Sequence, residues 1–133
     1  MTAVEPAIRD LLRLTLTPGM GPVLIARLLD AFSSPDRVLA ASAKELERVK
    51  GIGDGRSTAF VRGMKEAAGM VDAELELAAK IGARLIAKAD PEYPQLLRTI
   101  NDPPPVLYIR GRMEPGTADQ YPVAIVGSRN ATA

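Results

Sequence analysis

The amino-acid sequence predicts an α+β chain, helical over residues 1–68 and opening into a sheet over residues 69–133. Three observations carry that expectation. Apolar residues recur at helical spacing through the first half. Two Gly-apolar-Gly breaks, Pro18-Gly19-Met20-Gly21-Pro22 and Lys50-Gly51-Ile52-Gly53-Asp54, interrupt that pattern 32 residues apart. The second half replaces the helical period with short apolar runs bounded by Gly and Pro.

The elements follow in order. Ile8, Leu11, Leu12 and Leu14 share one helical face, and Thr17-Pro18-Gly19-Met20-Gly21 ends that helix. Pro22 suits the first turn of the next helix, where its missing N–H costs nothing, and Leu24, Ile25, Leu28, Leu29 and Phe32 point inward. Ser33-Ser34-Pro35 opens a short helix through Leu39. Ser42 with Glu45 three residues on is a capping box leading to a helix through Val49. After Gly51-Ile52-Gly53 a helix runs from about Gly55 past Met64. A further helix spans about 70–81 and stops at Gly82. Residues 84–87 form a short strand, and Tyr93 starts a short helix that Asp90 and Glu92 cap. Asp102-Pro103-Pro104-Pro105 is a rigid connector into a strand at 106–111. Residues 113–121 are a polar loop. The unalternating run Val123-Ala124-Ile125-Val126-Gly127 is a strand of the kind covered on both faces.

Composition excludes several function classes. With no cysteine there is no disulfide framework and no thiolate metal site, and with no histidine the commonest acid/base group and zinc ligand is missing. No Walker motif, zinc pattern or complete Gly-x-Gly-x-x-Gly is present, so neither cofactor nor metal is expected and no catalytic residue is named. The N-terminus carries an early acid rather than a basic start, and no run approaches the roughly 20 apolar residues of a membrane span, so a cytoplasmic chain without membrane contact is expected. Net charge is +1, and residues 1–68 hold ten Lys/Arg against eight Asp/Glu.

The two breaks have the pattern of a helix-hairpin-helix. Glycines permit backbone torsions that other residues resist, and the apolar residue between them can plug the space between helices. Amides at the start of the following helix then face outward, where they can hold a phosphate oxygen without regard to base sequence. Residues 14–26 carry no charge, so the first hairpin reads as a packing turn. The second is flanked by Arg48, Lys50 and Arg56, opposed by Glu47 and Asp54. Lys50, Gly51, Gly53 and Arg56 there make a phosphate site or a tight turn, and both readings stand. At the end of the last strand Gly127 lets a ligand approach, Ser128 offers a hydroxyl and Arg129 a planar fork for phosphate. An ordinary strand exit with a solvated arginine is the alternative. Asp72, Glu74 and Glu76 read as the wet face of their helix, and the triple proline as a connector rather than a ligand for a proline-reading domain.

Three runs in order, Tyr93-Pro94-x-Leu96-Leu97, Ile100-x-Asp102-Pro103-Pro104-x-Val106-Leu107-Tyr108-x-Arg110-Gly111 and Val123-x-Ile125-Val126-Gly127-Ser128-Arg129, resemble the bacterial DNA-processing protein A (DprA/Smf) family. The paired hairpins ahead of them resemble that family's N-terminal sterile-alpha-motif-like (SAM-like) domain. The resemblance implies a SAM-like domain over 1–68 and an incomplete, extended Rossmann-like domain over 69–133. It implies single-stranded DNA binding, self-association and loading of the RecA recombinase in natural transformation, without catalytic turnover. With it, Gly127-Ser128-Arg129 is expected to contact phosphate, and the helical half to supply duplex contact or a partner surface. The chain reaches Asn130-Ala131-Thr132-Ala133 before the family's tyrosine–glycine step and later glycine-rich segment, and is expected to be a truncated form. Two other functions remain open. The helical half alone is a protein-interaction module in one. In the other, Gly127-Ser128-Arg129 begins the nucleotide site of an enzyme resembling the lysine-decarboxylase-like phosphoribohydrolases.

Overall fold

Two helical hairpins, joined by a short connecting helix, form one side of the molecule, and a helix with a two-stranded sheet closes the other. The computed structural model describes residues 4–114 and 120–130. Helix α1 (Pro6–Leu16) begins with Pro6 in its first turn and buries Leu11, Leu12 and Leu14. Helix α2 (Pro22–Phe32) likewise starts on proline and buries Leu24, Ile25 and Leu28. Ser33, the C-cap of α2, takes a left-handed φ of 73° and donates its amide to the Leu29 carbonyl at 2.8 Å. Helix α3 (Pro35–Ala40) connects to α4 (Ala43–Glu47), whose expected capping box is formed in both directions between Ser42 and Glu45. Helix α5 (Asp54–Ala68) is the longest in the chain among the described residues.

Gly63 inside α5 explains how closely α5 meets the first turn. A Cβ there would lie 3.2 Å from Thr17 Cγ2 and 3.5 Å from Pro18 Cδ. Arg13 fixes the same junction by donating Nε to the Met64 carbonyl at 2.6 Å.

The second half folds back on α1. Helix α6 (Val71–Lys80) packs against α1 and is tied to it by the Arg9–Asp72 ion pair. Strands β1 (Ala83–Ala87) and β2 (Val106–Arg110) pair antiparallel, with Leu85 opposite Tyr108 and Ala87 opposite Val106. Helix α7 (Gln95–Arg98) lies in their connection. Val106 joins the cluster built from Leu11, Leu14, Leu28, Leu46 and Phe60, so one apolar core runs through both halves. Tyr93, 1% exposed, donates its hydroxyl to the Pro104 carbonyl at 2.8 Å, and Lys88 donates its amide to the Pro105 carbonyl at 3.0 Å. Those bonds give the triple proline its place as a connector.

Three expectations are corrected. Asp90 and Glu92 do not cap the helix after Tyr93. Asp90 accepts the Ala87 amide at 2.6 Å, closing the turn after β1, while Glu92 pairs with Arg84. Residues 72 and 74 are not merely a wet face, since Asp72 pairs with Arg9 and Glu74 accepts the Tyr108 hydroxyl at 2.8 Å. Most consequentially, residues 123–127 are not a strand. A strand is defined by its pairing, and among the described residues β1 and β2 pair only with each other. Val123, Ile125 and Val126 are therefore 84–94% exposed. The polar loop expected over 113–121 lies at 115–119 outside the described residues.

Candidate nucleic-acid interface

The two glycine turns are one local structure used twice. Gly19 and Gly51 both take positive φ, 77° and 99°. The apolar residues behind them, Met20 and Ile52, are 4% and 5% exposed, so each plugs its hairpin as expected. Their amides donate to the carbonyls of Thr17 and Val49, at 3.2 and 3.1 Å. Gly21 and Gly53 are then the N-caps of α2 and α5, with torsions of −82°/172° and −98°/170°. Glycine is needed at the positive-φ positions because a side chain there meets the following carbonyl.

Beyond the backbone the turns diverge. Pro22, in the first turn of α2, has no N–H to offer. At α5 the first amides with a partner in the turn are those of Arg56 and Ser57, both on the Gly53 carbonyl at 2.9 and 3.1 Å. The earlier amides of that helix precede any intrahelical acceptor and form its positive end. Asp54 stands in this first turn as a resident negative charge.

Lys50, Gly51, Gly53 and Arg56 are all exposed and lie within this one hairpin. Arg56 donates Nη1 to the Gly51 carbonyl at 3.0 Å, and its guanidinium sits 5.3 Å above the Phe60 ring. That contact fixes the charged head beside the turn. Reading the sequence alone missed Arg27. From α2 it donates Nη1 to the Lys50 carbonyl at 3.1 Å, linking the two hairpins. Its only signal in the sequence is that it is the first charge after the uncharged stretch 14–26. Nothing in linear spacing reveals that the second turn faces it.

Gly127, Ser128 and Arg129 are exposed and outside any strand. The Ser128 hydroxyl donates to the Asn130 carbonyl at 3.0 Å, inside its own bend. Among the described residues no hydrogen bond, ion pair or ring contact joins these three to the hairpins. No group of acids suited to a metal ion occurs among the described residues, and none of their helices is long and apolar enough to cross a membrane.

Comparison with known proteins gives two family matches. A SAM-like helix-hairpin-helix tandem family matches residues 8–59, the segment holding both turns. The DNA recombination-mediator protein A family matches residues 84–133. Protein Smf of Synechocystis sp. is 34% identical over 116 residues, covering 86% of this chain and 29% of its own length. The chain thus spans less than a third of that relative. The UvrABC system protein C of Natronomonas pharaonis is 49% identical over 43 residues, 32% of this chain and 8% of that protein. No solved structure matches.

Proposed function

The chain belongs to the DNA-processing protein A (DprA/Smf) family, and from that footing we propose that its hairpins hold the sugar–phosphate backbone of DNA. One observation carries the reading. The hairpin with outward amides at a helix start is also the one around which Lys50, Arg27 and Arg56 gather. Amides orient a phosphate oxygen, the helix end favours its charge, and guanidinium groups add charge-assisted hydrogen bonds. None of these distinguishes one base from another. Contact is therefore with DNA in general, duplex included. Such a role asks for binding and positioning and needs no catalytic group.

The finer assignments follow the family. We place single-stranded DNA on the second half, with Gly127, Ser128 and Arg129 at the exit of the 123–126 run, which would join an extended Rossmann-like sheet only by pairing with a further strand. Self-association and loading of RecA in natural transformation, in the cytoplasm, belong to the same proposal. Val123, Ile125 and Val126 are exposed and so open to that pairing.

The test is oligonucleotide binding by this chain across a salt series. Lys50→Glu with Arg56→Glu is expected to weaken affinity by more than about tenfold at low salt and to flatten the salt dependence by roughly two phosphate contacts. Unchanged affinity in dilute buffer would reduce the hairpin to packing. An apolar cleft of about 550 Å³, between α1–α2 and the Ala87, Pro103 and Pro105 segment, favours a second reading as a protein-interaction module. Binding of a protein partner there would respond only weakly to salt.

A further inference from the structure

Arg27 belongs to neither glycine turn, yet it stands between them. Its Nη1 lies where a Cβ on Gly51 would come within 3.0 Å. Arg56 approaches the same turn from α5. Between the turns is a cleft of about 310 Å³, walled by Gly19 and Gly21 from the first hairpin, Gly51 from the second, Arg27 and Arg56, with Asp102 entering from the proline connector. Neither arginine has a carboxylate within ion-pair distance among the described residues. The bond to the Lys50 carbonyl uses one of the five guanidinium N–H donors of Arg27, leaving the others for an acceptor in the cleft.

We propose that the two hairpins share a single phosphodiester site in this cleft, with Arg27 contacting the phosphate from the first hairpin's outgoing helix. The inference rests on the reading that the hairpins meet DNA and changes what the first hairpin does. Its turn carries no charge of its own, and it forms a wall for a phosphate whose charge is met by Arg27 and Arg56. Gly21, where a Cβ would stand in open space, keeps that wall bare, so the backbone of a nucleic acid can come close.

Gly21 and Gly53 allow a test that spares the fold. A Cβ on either meets nothing within 4 Å, and both take extended N-cap torsions at which Asp is favoured. Gly53→Asp, Gly21→Asp, Arg27→Gln and Arg27→Lys are compared by fluorescence anisotropy with single-stranded and duplex oligonucleotides, each checked by thermal melting. Both Asp variants are expected to bind about tenfold more weakly at low salt. Arg27→Gln should lower the slope of log K against log salt by about 0.7–0.9, one phosphate contact, and Arg27→Lys should restore it. Wild-type binding by Gly21→Asp, or an unchanged slope in Arg27→Gln, overturns the shared site while weak binding by Gly53→Asp leaves the second hairpin standing. No effect from Gly53→Asp would instead remove the hairpin reading itself.

Discussion

The turn at residues 17–22 and the turn at residues 49–54 adopt the same backbone while sharing no residue type except two glycines. Each has a positive-φ glycine, a buried apolar plug and a glycine N-cap. One carries no charge in its own stretch of sequence and starts its helix on proline. The other exposes Lys50 and Arg56 and starts on Asp54. The pair separates two demands that a single hairpin would leave mixed. The fold needs glycine where φ is positive and bulk where the helices converge. Phosphate affinity needs charge at the rim, and the rim is free to vary because it is solvated.

The plugs should break this comparison most visibly if it is wrong. Met20→Ala and Ile52→Ala each empty a buried space between two helices, and each is expected to cost about 2–5 kcal/mol in urea unfolding. Similar losses would confirm equivalent plugs. A cost well below that range at one position would show that one hairpin closes by other contacts.

The glycines sharpen the contrast at smaller scale. Gly19→Ala and Gly51→Ala both force a side chain into a left-handed backbone, at a cost of about 1–2 kcal/mol. Gly51→Ala should cost slightly more, by what lifting the exposed Arg27 guanidinium off the Lys50 carbonyl costs, since its Cβ meets Arg27 Nη1 at 3.0 Å where that of Gly19 has Phe60 Cε1 at 3.6 Å. Adding Arg27→Ala should bring the two equal. A double-mutant cycle of unfolding energies measures the difference, and additivity would place Arg27 elsewhere in solution.

Most of the helical half was legible because its signals are local. Pro22 and Pro35 mark helix starts, Ser42 with Glu45 a capping box, and Gly51-Ile52-Gly53 a turn whose middle residue is buried. What was not legible depended on which of several possible partners a side chain takes, some near in the chain and some distant. Asp90 and Glu92 look like helix caps by position, but the turn after β1 gives Asp90 the Ala87 amide and returns Glu92 to Arg84. Residues 123–127 have a strand's composition, but pairing is a property of two segments and cannot be read from one. Arg27 illustrates the same limit at the candidate site. Its neighbours in sequence are apolar, and its role comes from a carbonyl 23 residues away.

The helices entering the two turns give the subtlest contrast. Helix α1 has 11 residues and enters the first turn without a side-chain cap, whereas α4 has five and depends on its capping box. The Glu45 carboxylate accepts the Ser42 amide and hydroxyl, both at 2.8 Å, and the Ser42 hydroxyl accepts the Glu45 amide at 3.4 Å. Ser42→Ala should cost about 1 kcal/mol and loosen the second turn before the first. Amide hydrogen exchange at Ile52 compared with Met20 would report it. The Ser42 amide, and after it the hydroxyl, holds the Glu45 carboxyl below its ordinary value of 4.5. The folded chain therefore keeps this carboxylate ionised at a pH where the unfolded chain takes up a proton. Its contribution is complete above pH 4.5 and is lost as pH falls through the lowered value. Glu45→Gln retains the reciprocal hydrogen bonds without the titration, so the fall in unfolding midpoint below pH 4.5 should be shallower in that variant. An identical acid profile would mean that the charge on Glu45 contributes nothing to the second hairpin that the neutral cap does not.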